Sequence, residues 1–266
     1  AAAQRAKHLA ATLEQEYYLP GQDFYAFSHN LTGPDDDTPT IYPSVAWWDG
    51  TFELQHPASM LARWASDEFS TDWGTRDVGG HVSFFDPISY HEGSVWPLFT
   101  GWASLAEYRA GHPLAGYAHL MQNADLTWAQ DLGDVTELLS GQYFQDLGRS
   151  TAHQLWSSAM VISPALRGMF GLEWNAPAST LTVTPRLPAG WTTAAIHHLP
   201  LGNSSLDLTF TRQGSEWLVT ATGTNVHLAS HAAGARVTGN TLHIPTPAVE
   251  VAVPVTLPAP GAQTEE

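Results

Sequence analysis

The first two thirds of the chain carry apolar residues at helical spacing. Leu98, Trp102 and Leu105 follow the i, i+4, i+7 pattern, which predicts a helix over about 95–110 with Ser94 as its N-cap. The same spacing predicts further helices over residues 2–17, 56–68 and 114–130. Long stretches rich in Gly, Pro, Asp and aromatic residues join them, over 20–54, 70–93 and 131–150. Loops of such length in a compact domain are usually functional, so we expect a site among them.

Another helix is predicted after residue 151. Thr151 and Gln154 fit a capping box, and Pro164 is expected to kink the helix. One apolar stripe of this helix consists of Leu155, Ala159, Ile162, Leu166 and Met169.

The apolar period changes to two in the last third of the chain. Alternation marks short strands at Leu181 and Val183, at Leu206, Leu208 and Phe210, at Trp217 and Val219, at Leu242 and Ile244, and at Val249, Val251, Val253 and Val255. Turns such as Gln213-Gly214-Ser215 and Gly239-Asn240 separate them, which predicts a small antiparallel β-sandwich. Residues 259–266 are expected to form a disordered tail.

Charge divides the chain at the same place. Residues 1–173 contain 21 acidic and 7 basic residues, a net charge of −14, whereas residues 174–266 contain 5 and 3, a net charge of −2. We therefore expect a mainly helical domain over 1–173 and an accessory β-domain over 174–258.

A surface this acidic repels phosphate backbones and anionic lipid headgroups, which disfavours nucleic acids and membranes as partners. No apolar run approaches the roughly 18 residues of a membrane span, and zero cysteines exclude disulfides and thiolate chemistry.

The densest candidate site is the segment Tyr90-His91-Glu92-Gly93-Ser94-Val95-Trp96-Pro97. Its polar side chains would bind sugar hydroxyls, and the indole of Trp96 would stack on the C–H face of a sugar ring. Gly93 permits a tight turn close to a ligand. This combination is typical of a carbohydrate pocket. The alternative is that Trp96-Pro97 simply starts a helix, with Tyr90 and His91 as polar residues of the core.

A second candidate is Trp73-Gly74-Thr75-Arg76 with Asp77 next to it. Arg76 would clamp substrate hydroxyls or keep a catalytic carboxylate ionised. The alternative is an ordinary loop arginine paired with an aspartate.

The third candidate is Glu137, a carboxylate flanked by apolar residues in a loop between predicted helices. Partial burial at such a position suits a general base. His153-Gln154-Leu155-Trp156 opens the next helix, where His153 and Trp156 share a face at i, i+3. The alternative for Glu137 is a solvated loop residue.

Other chemistries find less support in the sequence. It contains no HExxH, no Gly-rich phosphate loop and no GxSxG. His197-His198 lack the spacing of a metal site, and Asp35-Asp36-Asp37 fits a solvated loop or weak cation site better than an EF-hand. We predict no metal and no cofactor.

Four blocks, in this order, resemble the C-terminal half of bacterial and archaeal glycogen-debranching-type enzymes, the amylo-α-1,6-glucosidases of the six-hairpin glycosidase superfamily. The first block, similar to "WLPEKGFYA", is Tyr17-Tyr18-Leu19-Pro20 through Phe24-Tyr25-Ala26, and the second, similar to "WGxRT", is Trp73-Gly74-Thr75-Arg76. The third, similar to "YHxGSVWP", is the segment from Tyr90 to Pro97. The fourth, similar to the "PElf(s)G…QAWS" pair, is Thr136-Glu137-Leu138-Leu139-Ser140-Gly141 with His153-Gln154-Leu155-Trp156-Ser157. The blocks span residues 15–172.

The resemblance implies part of an (α/α)6 toroid and inverting hydrolysis of an α-glucosidic bond. In this family the glutamate that matches Glu137 acts as general base. The residues expected to line the glucosyl site are Trp73, Arg76, Tyr90, His91, Glu92, Trp96, His153, Gln154 and Trp156. The family's general acid lies upstream of the matched blocks, and Glu92 and Asp49 are two candidate substitutes within this chain.

The substrate is therefore expected to be an oligosaccharide or α-glucan. Two alternatives stay open: a non-catalytic carbohydrate-binding fragment, and a related six-hairpin enzyme such as an α-L-rhamnosidase or disaccharide phosphorylase. Twelve toroid helices would need well over 173 residues, and the chain starts without Met. We therefore expect a partial chain. Linkage specificity, oligomeric state and compartment are not predicted.

Overall fold

The computed structural model describes residues 2–50, 52, 54–223 and 226–246 and divides the chain into two compact units, Ala1–Trp191 and Thr192–Glu266. The predicted change of period at residue 174 falls inside the first unit, because the first β-hairpin after that change belongs to it. The assignment of 1–173 to a catalytic domain and 174–258 to an accessory domain stays a prediction. Among the described residues, no helix has the length and apolar character needed to cross a bilayer.

Helices and short strands make up the first unit. The α-helices are α1 (Ala2–Thr12), α2 (Ala58–Trp64), α3 (Pro97–Arg109), α4 (Pro113–Leu126) and α5 (Leu155–Pro164). The short strands are β1 (Tyr18–Leu19), β2 (Phe24–Tyr25), β3 (Ser70–Thr71), β4 (Gly74–Thr75), β5 (Leu172–Asn175) and β6 (Thr180–Val183), which pair as three antiparallel hairpins, β1 with β2, β3 with β4 and β5 with β6. Each predicted helix is present. In the residues of the three long loops that the structure describes, the helices and strands are limited to short strands and a 3₁₀-helix over Tyr42–Trp47.

Helix α3 begins at Pro97 rather than at Ser94. Trp96 is the N-cap, with extended backbone, and Pro97 takes the first helical position. The predicted cap Ser94 is wrong, because its hydroxyl donates to the Tyr90 carbonyl oxygen (3.0 Å) and accepts from Trp96 Nε1 (2.9 Å). The helix ends before Gly111, whose φ of +86° is a left-handed conformation that glycine adopts without strain.

Helix α5 departs from its predicted cap and face. Gln154, not Thr151, is the N-cap, and its Oε1 accepts from the Leu155 N–H at 3.0 Å. The predicted apolar stripe does not coincide with the buried face, since Leu155 is 78% and Ile162 59% exposed. Met160 instead faces α3, where a Cβ on Gly101 would lie 2.4 Å from it. The α-helix ends at Pro164, and the chain continues as a wider π-helical turn over Ala165–Met169.

The core of the first unit packs around the indole of Trp64, which is fully buried. Phe24 and Trp47 meet its ring edge-on, with centroids 6.5 and 6.2 Å away. Trp64 Nε1 donates to the Thr40 carbonyl oxygen at 3.1 Å, which fixes the backbone of the loop at Thr40 against the core.

The second unit is built on a five-stranded antiparallel sheet with the order β11-β12-β9-β8-β7. Its strands are β7 (Thr193–Leu201), β8 (Ser204–Gln213), β9 (Glu216–Gly223), β11 (Arg236–Thr238) and β12 (Thr241–Pro245), with the short β10 (His227–Ala229) between β9 and β11 in the chain. Leu206, Leu208 and Phe210 alternate with more exposed residues along β8 and are buried. The antiparallel pairing and the turns at residues 213–215 and 239–240 are confirmed. A second layer that would complete a sandwich stays a prediction, and the strand at Val249–Val255 and the tail 259–266 lie outside the described residues.

Candidate active site

Three loop segments of the first unit lie side by side, and together we call them the loop cluster: residues 74–78, 93–96 and 137–141. Val95 and Leu139 exchange two backbone hydrogen bonds of 2.9 Å each, and the Asp77 N–H donates to the Ser94 carbonyl oxygen at 3.0 Å. These bonds bring together candidate motifs that are far apart in the sequence.

Two glycines permit this close approach. Gly93 has a φ of +151°, in a region where only glycine is unstrained. A Cβ on Gly141 would lie 1.8 Å from the Gly93 carbonyl oxygen, which no side chain tolerates. Gly93 therefore serves the packing of two protein segments in this structure, rather than the approach to a ligand expected from the sequence.

Glu137 is nearly buried in the loop cluster and keeps 7% of its surface exposed. The Tyr90 hydroxyl donates to its Oε1 at 2.6 Å, and the Thr151 N–H donates to its Oε2 at 3.2 Å. The hydrogen bond to Glu137, together with burial, raises the pKa of Tyr90 to about 12, so this phenol stays a donor at neutral pH. Each carboxylate oxygen retains a further lone pair that can accept a hydrogen bond from water.

Aromatic rings extend from Tyr90 towards the surface. The His91 ring stacks on the Trp96 indole, with centroids 5.1 Å apart and planes 6° from parallel. Tyr90 meets both rings edge-on, each at 4.7 Å. Trp96 itself is buried and donates its Nε1–H to the Tyr90 carbonyl oxygen at 3.0 Å. His91 rather than Trp96 therefore presents the ring that a ligand reaches.

Asp77 is a buried carboxyl beside this group. Its Oδ1 accepts from the Val78 N–H at 2.9 Å, whereas its Oδ2 has no hydrogen-bond partner within the part of the chain that the structure describes. His91 Nδ1 lies 3.8 Å from Oδ2. Burial raises the pKa of Asp77 to about 7. The sequence placed Asp77 next to Arg76 but did not select it, since nothing local shows that a loop aspartate becomes fully enclosed.

A cavity of about 530 Å³ opens next to His91. Its walls are formed by Phe27, Asp36, Thr38, Thr40, Tyr42, Val78, Phe84, His91 and Glu92. Its size and its mixture of aromatic and polar groups suit a small-molecule ligand such as a sugar. Phe27, Thr40 and Tyr42 also line a neighbouring, more apolar cavity of about 360 Å³. Sequence reasoning missed these residues, since the loop over 20–54 offers no motif at them.

Trp73 and Arg76 hold the backbone that follows Glu137. Trp73 Nε1 donates to the Ser140 carbonyl oxygen at 2.9 Å, and Arg76 Nε donates to that of Gly141 at 2.7 Å. Arg76 also donates to the Asp67 carbonyl oxygen at 2.7 Å. Burial lowers the pKa of Arg76. These contacts brace the loop cluster, and a direct contact of either residue with substrate stays a prediction.

The remaining predicted site residues lie at the periphery. His153 Nδ1 is 2.9 Å from Asp134 Oδ1, and the Gln154 side chain caps α5. Trp156 is 43% exposed on α5, and Glu92 is exposed and accepts from the Ser89 hydroxyl at 3.0 Å. The structure thus brings together Glu137, Tyr90, His91 and Trp96, with Trp73 and Arg76 behind them. Over the described ranges, no group of three or more metal-binding side chains is arranged around one point.

No protein-family model and no curated protein matches this sequence. Solved structures do. A sialidase is similar over 91% of this chain and 24% of its own, with a TM-score of 0.67 and 12% identity. The GH78 family rhamnosidase of Bacillus sp. GL1 is similar over 86% of this chain and 22% of its own, with a TM-score of 0.58 and 16% identity. The chain thus spans about a quarter of the length of these glycoside hydrolases and shares their fold over that part.

Proposed function

We propose that this chain is part of an inverting glycoside hydrolase that acts on α-glucosidic bonds, with Glu137 as general base. Three observations support the proposal. The fold is like that of two glycoside hydrolases, the aromatic wall at His91 and Tyr42 suits a sugar, and the four sequence blocks resemble those of the debranching family. We extend the fold in the same proposal to an (α/α)6 toroid of which residues 1–173 form a part.

The hydrogen bonds of Glu137 carry the proposal. A general base needs an ionised carboxylate that is fixed in place and still reachable by water. The Tyr90 hydroxyl and the Thr151 backbone N–H each donate to one carboxylate oxygen, which fixes the side chain. The carboxylate is thereby oriented before any substrate binds.

In an inverting reaction, water attacks the anomeric carbon while Glu137 takes a proton from that water. A carboxylic acid about 6.5–9.5 Å away protonates the glycosidic oxygen as its bond to the anomeric carbon breaks. The resemblance assigns this acid to a segment upstream of the matched blocks. Of the two substitutes within this chain, Glu92 is exposed and bonded to Ser89, and Asp49 is exposed near Arg109 and Arg167.

The variant Glu137→Gln tests the base. It should lower the turnover of p-nitrophenyl α-glucoside, maltose and isomaltose at least a thousandfold in the complete enzyme, while sugar affinity stays within a few-fold. Glu16→Gln is the matched control, because Glu16 is exposed on the π-helical turn after α1. Turnover that survives in Glu137→Gln would remove Glu137 from the role.

The stereochemistry has its own test. Proton NMR of the first product should show a β-anomer released from an α-glucoside. An α-anomer would exclude the inverting mechanism and leave the question of substrate open.

A second candidate function is carbohydrate binding without hydrolysis. It is favoured by the exposed position of Glu92, which is one of two carboxylates in the cavity wall, since an exposed carboxyl is poorly placed to act as the general acid. Calorimetry with maltose or isomaltose, run beside a glucose-release assay, separates the two functions: heat without glucose indicates binding alone.

Two related activities have their own assays. Turnover of p-nitrophenyl α-L-rhamnoside would indicate a rhamnosidase. Dependence on inorganic phosphate would indicate a phosphorylase, which the charge of −14 on residues 1–173 disfavours.

A further inference from the structure

One oxygen of the buried Asp77 carboxyl, Oδ2, has no hydrogen-bond partner among the described residues, whereas backbone N–H groups of Val78 and Gly93 act on the carboxyl and lower its pKa against the effect of burial. The Asp77 side chain is fully enclosed. A buried carboxylate oxygen without a partner costs free energy, so such an atom normally marks a site where a partner arrives or a proton is held.

One side-chain donor is close to that oxygen. His91 Nδ1 lies 3.8 Å from Oδ2, which is longer than a hydrogen bond by less than 1 Å. Hydrogen bonds in ligand-free sites are often long and shorten when a ligand binds. The His91 side chain is 57% exposed, so its ring has room to move the remaining distance along the face of Trp96.

The other ring nitrogen of His91 is then left for a ligand. His91 forms part of the wall of the 530 Å³ cavity, beside Thr40 and Tyr42. In neutral histidine the hydrogen bond at one nitrogen decides which nitrogen carries the proton. With Nδ1–H directed at Asp77, Nε2 becomes the acceptor that the ring offers to a ligand.

We propose that Asp77 is a positioning residue that fixes His91 as the Nδ1–H tautomer, so that Nε2 accepts a hydrogen bond from a sugar hydroxyl in the cavity. This inference rests on the proposed function for the identity of the ligand. The sugar then binds with a hydroxyl edge at His91 and its C–H face towards the rings of Phe27 and Tyr42. Asp77 itself touches no substrate.

The tautomer of His91 is measured directly, in the full 266-residue chain and without sugar. Long-range ¹H–¹⁵N correlation spectra at about pH 8 separate Nδ1–H from Nε2–H rings, and a His91→Gln variant assigns the His91 signals among the 13 histidines. We expect the Nδ1–H form in the wild-type chain and a shift to Nε2–H in Asp77→Asn. Asp72→Asn is the matched control, because Asp72 is an exposed carboxylate in the turn before β4. A His91 tautomer that is identical in wild type and Asp77→Asn overturns the proposal.

Affinity for maltose gives the second measurement. Asp77→Asn and His91→Gln should each weaken binding about tenfold, the loss expected for one hydrogen bond to a polar ligand. Because Asp77 acts through His91, the double variant should be no weaker than His91→Gln alone. Losses that simply add would overturn the proposal. A wild-type chain that binds no maltose would count against the proposed function, whereas the tautomer still decides the role of Asp77.

Discussion

The α3–α4 interface and the loop cluster each enclose a glutamate, but they hold it in opposite ways. Glu107 of α3 is fully buried, its Oε2 lies 2.7 Å from His119 Nδ1 on α4, and His119 Nε2 lies 3.2 Å from the Ser70 hydroxyl. Glu137 sits in a loop, keeps 7% exposure and accepts from the Tyr90 hydroxyl and a backbone N–H. The comparison shows that burial alone does not distinguish the proposed base from a carboxylate that joins two helices. A glutamate sealed between helices joins them, whereas one held by loop donors keeps lone pairs within reach of water.

The largest expected effect is a loss of folding stability when the glutamate between α3 and α4 is removed. Glu107→Ala should lower the free energy of unfolding by about 3–5 kcal/mol, because it leaves His119 buried without its partner. Urea unfolding followed by tryptophan fluorescence measures the loss, with Glu16→Ala as the exposed control. A Glu107→Ala chain as stable as this control would show that the buried pair does not join the helices.

Asp77 adds a pH dependence to the loop cluster. Its folded-state pKa of about 7 lies above the ordinary aspartate value of 3.8, so its contribution to stability is intact below about pH 4 and is lost as the pH rises to about 7. The loss is at most about 4 kcal/mol, from 1.36 kcal/mol for each unit of pKa. Asp77→Asn should remove this loss, so that the stability difference between wild type and variant changes between pH 4 and pH 7. His91, Glu92 and Tyr42 are ionisable neighbours of Asp77, and all three side chains are present in both chains. A difference that is constant over this range would contradict the assignment.

The smallest effect concerns the donor to Glu137. Tyr90→Phe keeps the ring contacts but removes the hydroxyl, and should cost about 1–2 kcal/mol of stability. Under the proposed function, turnover of p-nitrophenyl α-glucoside by the complete enzyme should fall about tenfold, since Glu137 loses its closest donor. Tyr143→Phe is the control, because Tyr143 is 62% exposed. If Tyr90→Phe matched this control in both measurements, Glu137 would not depend on Tyr90.

Sequence spacing predicted the helices well because their signals are local. The pattern at Leu98, Trp102 and Leu105, with Pro97 at the first helical position, was sufficient for α3. The predicted caps failed for a long-range reason. The Ser94 hydroxyl bonds to Tyr90 and Trp96, and the Thr151 backbone pairs with Glu137. Such contacts form only once the loops have met.

In the candidate site, too, the residues with local sequence motifs were predicted, and a residue that depends on long-range contacts was not. Glu137, Tyr90 and His91 were found from their motifs, and the structure brings them together. Asp77 was missed because its enclosure depends on neighbours far along the chain: its carbonyl oxygen accepts from Ile41 N–H, and its own N–H donates to Ser94. No period or spacing near residue 77 reports those partners.

The bracing of Ser140 and Gly141 by Trp73 and Arg76 bears on how the proposed base would work. The carbonyl oxygens of Ser140 and Gly141 accept hydrogen bonds from planar side-chain groups of another segment. The folded chain therefore fixes the position of the loop that carries Glu137. A preorganised base has little reorganisation to undergo as charge develops on the attacking water. Each turnover would then begin from the same geometry of the proposed base. Substitutions at Trp73 or Arg76 would lower the reaction rate indirectly, by displacing the loop that carries Glu137.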